Sequence, residues 1–551
     1  MRKNKKKWTA LGMMLVMLTA CAGEAAPNAE GTPTEAVGHE KDAQENINQG
    51  GETVENQEEN LAENTDEAVT APEVIYQTSL SVSAEPIKSI GETIDMEKIK
   101  TNILFKAVSG CNNPLLTNLF CADPTSIEYE GRLYVYGTND NQQYLEKGTS
   151  DNTYEKIKSF VIMATEDMVN WRFEGYINTG EIAPWIIASW APSIVSRVEE
   201  DGLTHFYLYF SNSGWGTGVL TATHPAGPWT DPLGKSLVDG NTPNLNGCQT
   251  PFDPGVCIDE NGVGWLSFGG SGARIVRLGA DMISLDSEIT EIPAPYHFEA
   301  NELNYINGTY VYTYNNSWAT RTEWDSEAYG TTAPPSCSMS YMTTKTPLDT
   351  DSWVYQDYYL RNPGELNMEY SNNHTHLHEY KGQYYLFYHT LLLQRFREIK
   401  FGFRSIGVDV VEVDEENVKI SKCRAAIQGV DQIEAFSPYR VNQAEEVNLT
   451  NADYKQETDK IAAVCKEGQL SCIKGVDFKA GSSTLGVKVK GKGAILVRLD
   501  GANNETIATL SFDCEDWTAV YDAVEIEGTH DLFFVFAGEF EFDEWEFVEK
   551  K

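Results

Sequence analysis

The stretch that decides the fold opens with Asp123-Pro124 and continues through Glu130-Gly131 into Arg132-Leu133-Tyr134-Val135-Tyr136. A small or charged opening, an apolar run, a turn carrying Gly and an aromatic run predict a β-hairpin. The pattern returns at Ala191-Pro192 with Asp201-Gly202 and Tyr207-Leu208-Tyr209, and at Asp253-Pro254 with Asn261-Gly262 and Trp265-Leu266. It returns again at Glu299 with Asn307-Gly308 and Tyr310-Val311-Tyr312, and at His374 with Lys381-Gly382 and Tyr384-Tyr385-Leu386-Phe387-Tyr388. The spacing of the openings leaves room for about four strands per unit, so five repeats predict an all-β, five-bladed β-propeller. The first strand of every blade lines the central channel, so the five openings converge on one funnel.

The 551 residues carry 42 basic and 82 acidic side chains, a formal charge of −40. No basic run is long enough to hold a phosphate backbone against that field, which argues against nucleic acid as a partner. Residues 1–20 combine Arg2, Lys3, Lys5, Lys6 and Lys7 with an apolar stretch from Trp8 to Leu18, the plan of a signal peptide. The stretch is too short to span a bilayer. Leu18-Thr19-Ala20-Cys21 resembles a bacterial lipobox, which implies an exported lipoprotein held at the outer side of the cell membrane through a lipidated Cys21. Residues 21–75 are rich in Glu, Asn, Ala and Thr and poor in aromatics, the composition of a disordered acidic linker. The other nine cysteines fit neither a zinc site nor a dense disulfide framework. Buried thiols, with a few bridges at most, are expected.

From about Ser437 the chain alternates apolar and polar residues, as in Thr484-Leu485-Gly486-Val487-Lys488-Val489 and Ala494-Ile495-Leu496-Val497-Arg498-Leu499. Closely spaced turns without helical period predict a separate β-sandwich of jelly-roll type over 437–551.

Asp123, Asp253 and Glu299 open three of the five blades. Two convergent carboxyl groups are the minimum for glycoside hydrolysis, one protonating the leaving oxygen and one serving as base or nucleophile. A third raises the acid's pKa by like-charge repulsion. Asp-Pro alone reads as a turn or strand start; its recurrence at blade openings is what marks a site.

At this level the chain resembles glycoside hydrolase family 43 across about 105–430. The resemblance rests on Cys121-Ala122-Asp123-Pro124-Thr125-Ser126, Asp167-Met168-Val169-Asn170-Trp171, Ser189-Trp190-Ala191-Pro192-Ser193, Pro225-Ala226-Gly227-Pro228-Trp229, Phe252-Asp253-Pro254, Phe298-Glu299-Ala300 and Asn372-Asn373-His374. It implies an inverting hydrolase with Asp123 as general base, Asp253 as pKa modulator and Glu299 as general acid, Glu302 being the rival acid. Thr223 through Leu233 and Arg277 through Ser284 look like members that act on arabinoxylan and release α-L-arabinofuranose or, in neighbours, β-xylose. Plant cell-wall arabinoxylan or xylo-oligosaccharide is the partner so implied. A β-xylosidase or arabinan-degrading enzyme of the same fold, a non-catalytic glycan-binding lipoprotein and a retaining fructan-processing propeller are the alternatives. Trp190 reads as a sugar-stacking platform or a core residue, and Arg404 as a substrate contact or a simple salt bridge. His374 stands near where the family often holds an axial calcium ion or water cluster, so metal ligation and plain hydrogen bonding both remain open for it.

The C-terminal region resembles carbohydrate-binding module family 6, through Tyr439 to Glu445, Gly475-Val476-Asp477-Phe478 and His530 to Phe536 with Phe542-Asp543. This implies a structural Ca2+ held by Glu445 and Asp543, with no cofactor required for the chemistry. Cys472 and Glu541 depart from the family's sugar-binding positions and leave Trp517 as the aromatic candidate. For the anchor, Cys21→Ser is expected to yield an active enzyme that leaves the membrane fraction, because stable retention needs more than one acyl chain. Retention of that variant through a salt wash refutes the lipobox.

Overall fold

The computed structural model describes residues 110–550 apart from 148–150, 246, 249, 458 and 459, together with Leu80, Ile87–Lys88 and Lys106. The expected signal peptide, Cys21 and acidic linker lie outside the described residues. No helix among the described residues is long and apolar enough to cross a membrane.

Five antiparallel sheets form the blades. Their first strands are Ala122–Tyr129, Trp190–Val198, Gly255–Ile258, His297–Ile306 and Thr375–Tyr380. The packing follows from the period of two in the second strands. Val135 turns into the apolar cluster shared with Phe387 and Val408 of blade 5, while its neighbour Tyr136 turns into the one shared with Leu208 and Phe210 of blade 2. Tyr209 likewise joins Leu266 of blade 3, Tyr312 joins Ile275 of blade 3, and Val311 joins Leu386 of blade 5. Each second strand thus lends one face to each neighbouring blade, and the ring closes through five such seams.

Blade 5 has three strands where about four were expected. After Val410 the chain crosses to blade 4, where the Cys423 N–H donates to the Tyr359 carbonyl at 2.7 Å. The edge so exposed is covered by the segment that precedes blade 1. Leu115 N–H donates to Ile406 O at 2.9 Å, and the Asn113 amide pairs with Val408 as a strand would, accepting its N–H at 2.9 Å and donating to its carbonyl at 3.0 Å. Gly137 sits at this joint, where a Cβ would meet Ile406 Cδ1 at 2.7 Å and Ala122 O at 2.8 Å.

The C-terminal region is β throughout and built on three long strands, Ser482–Leu499, Thr506–Ala523 and Thr529–Glu549. The two runs expected as separate strands within 484–499 are one continuous strand. Gly491, at φ +120°, lies with its Cα side against Phe540, and the register slips between Val489 and Gly491, so the strand bends there instead of turning. Val487, Ile495, Leu510, Phe534 and Trp545 fill its core.

The region is also less separate than expected. Glu446–Val447 pairs antiparallel with Arg172 and Trp171 as a fifth strand of blade 1. Tyr454 stacks on Phe173 at 4.9 Å, and Thr117 exchanges two hydrogen bonds with the Thr450 main chain. A chain ending at residue 436 therefore loses the cover of blade 1. It is expected to be insoluble or to unfold at least ~10 °C below the full chain, since each kcal/mol lost is worth roughly 2–4 °C in a domain of this size. An unchanged melting temperature and yield show that blade 1 is self-sufficient.

Candidate active site

The openings of four blades share a backbone device. Asp123, Ala191, Asp253 and Ala300 adopt φ of 51°, 44°, 51° and 59°, the left-handed region. In blades 1, 2 and 4 the ladder slips at this point, between Ala122 and Thr125, Trp190 and Ser193, and Glu299 and Glu302. A bulge leaves a residue unpaired, which suits Pro124 and Pro192 because neither has an N–H to lose. Left-handed backbone costs a non-glycine residue about 1–2 kcal/mol, least for Asp and Asn, whose short polar chains bond locally. Asp123 sits inside the bulge of blade 1, and Asp253 takes the same left-handed backbone two residues ahead of the first strand of blade 3. Glu299 stands one residue before the equivalent position, Ala300, because blade 4 carries a further slip between His297 and Glu299.

Asp123 is buried against Arg404 and two histidine rings. Arg404 Nη1 reaches its Oδ1 at 2.8 Å, His389 Nδ1 lies at 3.2 Å and His374 Nδ1 at 3.6 Å. Burial opposes ionisation, but the Arg404 guanidinium outweighs it and holds the carboxyl far below the usual range. Arg404 is itself buried. It spends Nε and Nη2 on Asp140 at 2.9 and 2.8 Å, so its donors serve two carboxylates of blade 1, the salt bridge that was one of the two readings of this arginine.

Asp253 and Glu299 face the opposite regime. Asp253 Oδ2 accepts the Ala300 N–H at 2.9 Å, and its own N–H donates to Ser211 Oγ at 2.8 Å. Burial first, and then the charge of Asp123, push its pKa up. Glu299 is half-buried, and burial followed by the Asp253 charge push its pKa up as well. The two titrate as a pair. Behind Asp253, Asn301 donates to its carbonyl at 2.8 Å and accepts from His297 Nε2 at 3.0 Å and from the Tyr312 hydroxyl.

Glu302, the rival acid of the sequence reading, has different surroundings from Glu299. It is 2% exposed, 2.8 Å from His376 Nδ1 and 3.4 Å from Ser193 Oγ, deeper on the axis than Glu299. Gly255 permits this, since a Cβ there would meet the Glu302 Cα at 2.4 Å.

Trp190 stands at the rim, partly exposed, with Nε1 donating to Tyr154 O at 3.0 Å. The Tyr154 ring lies between it and Arg404, whose Cζ is 4.7 Å from the ring centre. His374 is buried and its pKa is held down to about 4, chiefly by burial, so the ring is neutral against Asp123. No group of three or more His, Cys, Asp and Glu converges as a metal site among the described residues, and no disulfide joins the nine cysteines to one another. Trp517, in the C-terminal region, is away from this funnel and has the Lys460 ammonium 4.1 Å from its ring centre. Asp140, Tyr154, Asn372 and His389 belong to the site without having been singled out. Asn372 lay within a quoted motif and His389 directly follows the quoted run Tyr384 to Tyr388, whereas Asp140 and Tyr154 come from a loop without strand period.

A ring of β-blades that gathers one ionised carboxyl group and a coupled pair whose pKa values are raised defines a propeller glycosidase site. The profile of glycosyl hydrolases family 43 matches residues 111–404, and the chain belongs to that family. It is 33% identical over 499 residues to an arabinoxylan arabinofuranohydrolase of Bacillus subtilis (strain 168), covering 80% of this chain and 93% of that protein. It is 30% identical over 487 residues to an arabinoxylan arabinofuranohydrolase of Paenibacillus polymyxa, covering 80% and 75%. Among solved structures, a Bacillus subtilis family 43 arabinoxylan arabinofuranohydrolase in complex with cellotetraose superposes with a TM-score of 0.73 at 31% identity, over 80% of this chain and 98% of that one.

The charge layout fixes two pH responses. Asp253→Asn removes a negative neighbour, so Glu299 loses its proton at lower pH and the alkaline limb of kcat/KM is expected to move down. Arg404→Met removes the counter-ion of Asp123, so that carboxyl is protonated at higher pH and the acid limb of kcat/KM is expected to move up. Limbs that stay in place in full pH profiles refute these roles.

Proposed function

We propose that the chain is an inverting glycosidase that removes α-L-arabinofuranose side groups from arabinoxylan. The observation that carries the reading is the division of labour among the three carboxyl groups, Asp123 kept ionised by Arg404 and Glu299 kept protonated by burial and Asp253. Asp123 takes a proton from water as that water attacks the anomeric carbon. Glu299 gives its proton to the glycosidic oxygen as the C–O bond breaks and its electron pair moves to that oxygen. Relatives named for arabinoxylan support the substrate.

The same proposal covers the rest of the chain. The C-terminal region is a carbohydrate-binding module with Ca2+ between Glu445 and Asp543. In support, Glu445 Oε2 is buried without a hydrogen-bond partner beside the buried Asp543, a set of hard oxygen donors suited to that ion, although Lys488 Nζ already lies 2.9 Å from Asp543 Oδ2. Lipidation of Cys21 holds the protein on the outer face of the membrane.

Proton NMR of the first sugar released tests the chemistry. Inversion gives the anomer opposite to the substrate, and the retained anomer overturns the mechanism. Asp123→Ala is expected to abolish turnover of every substrate. Glu299→Ala is expected to cripple release from arabinoxylan while sparing much of the rate on an aryl arabinofuranoside, whose leaving group needs little protonation.

A further inference from the structure

Asn372, in the loop between blades 4 and 5, touches both halves of the site. Its Nδ2 donates to Glu299 Oε1 at 3.4 Å, and its Oδ1 accepts from Ser371 Oγ at 3.1 Å, which orients the amide with its N–H toward the acid. Its main-chain carbonyl lies 3.0 Å from His389 Nε2 and accepts the proton there. His389 Nδ1 is thereby the acceptor nitrogen, and it takes the Asp123 N–H at 3.2 Å. One residue thus contacts the acid through its side chain and orders the ring behind the base through its main chain.

We propose that Asn372 is a positioning residue that reserves Glu299 Oε1 as a hydrogen-bond acceptor, so that the transferable proton sits on Oε2 and the carboxylate left after transfer is steadied. The proposal rests on the reading of Glu299 as general acid. Asn372 is the one hydrogen-bond donor to the Glu299 carboxyl among the described residues. The charged or titratable groups around that carboxyl are Asp253, Asp123, Arg404 and the buried Cys337 thiol. Of these, Asp253 and Asp123 disfavour the carboxylate, so the Asn372 N–H opposes them on the same oxygen pair. An N–H bonds more strongly to a carboxylate than to a neutral acid, so its help grows as the proton leaves.

The test uses the full chain with Asn372→Ala and with the isosteric Asn372→Asp, which keeps the size and replaces the donor by an acceptor. Both keep the carbonyl that holds His389, so the base side is left intact. The expected result is a kcat on arabinoxylan lower by about tenfold, a kcat on 4-nitrophenyl arabinofuranoside within about twofold of wild type, and an alkaline limb moved to higher pH. The limb moves further for Asn372→Asp, which adds a negative charge beside the acid, and this variant carries the test if Asn372→Ala does not fold. Equal losses on the two substrates with an unmoved limb overturn the proposal and reduce Asn372 to a loop or substrate contact. A wild type inactive on both substrates overturns the hydrolase reading itself, and the proposal with it.

Discussion

A ring of blades is held true by the joint between its last member and its first, and here that joint is ionic. Arg404, ahead of the third strand of blade 5, is clamped between Asp140 and Asp123 of blade 1, all three buried. Asp140 also accepts the Arg404 main-chain N–H at 3.0 Å and the Asn152 amide at 2.9 Å. Taking these charges out of water is costly, and only good geometry with full hydrogen bonding offsets it. The guanidinium supplies both through its planar fork of donors. The same contact that aligns the closing seam therefore also sets the ionisation of the residue at the funnel's head.

The remaining electrostatics follow from where that positive charge stops. Asp123 sits against Arg404, whereas Asp253 and Glu299 are farther around the funnel and feel burial and the negative charge of Asp123 more than the guanidinium. Three carboxyl groups in one funnel thus divide into an ionised one and a pair that shares protons.

Much of this was legible in the sequence because the blade openings repeat. Asp-Pro marks the bulge in blade 1, Ala191-Pro192 marks it in blade 2, and the aromatic second strands give the seams. Glu299 was legible as the opening of the fourth repeat, although blade 4 slips twice and Ala300, not Glu299, takes the left-handed position. Asp140 escaped because it heads the short helix Asp140–Lys147 inside a loop, where no strand period points to it. The missing fourth strand of blade 5 escaped because composition does not reveal that the chain after Val410 crosses to Tyr359. The two runs within 484–499 read as separate strands because nothing in the alternation shows that the chain stays paired across Gly491, as it does to Cys514 on one side and Phe540 on the other.

The fifth strand of blade 1 has a consequence for biosynthesis. Blade 1 leaves the ribosome first, yet the residues that cover its outer edge, Glu446–Val447 and Tyr454, come near the end of the chain. At roughly 5–20 residues per second, the strand bearing Trp171 and Phe173 waits on the order of tens of seconds with an unpaired edge. The earliest-made blade is the last to be finished, so the nascent chain must be shielded through that interval or held unfolded until its C-terminal third is available.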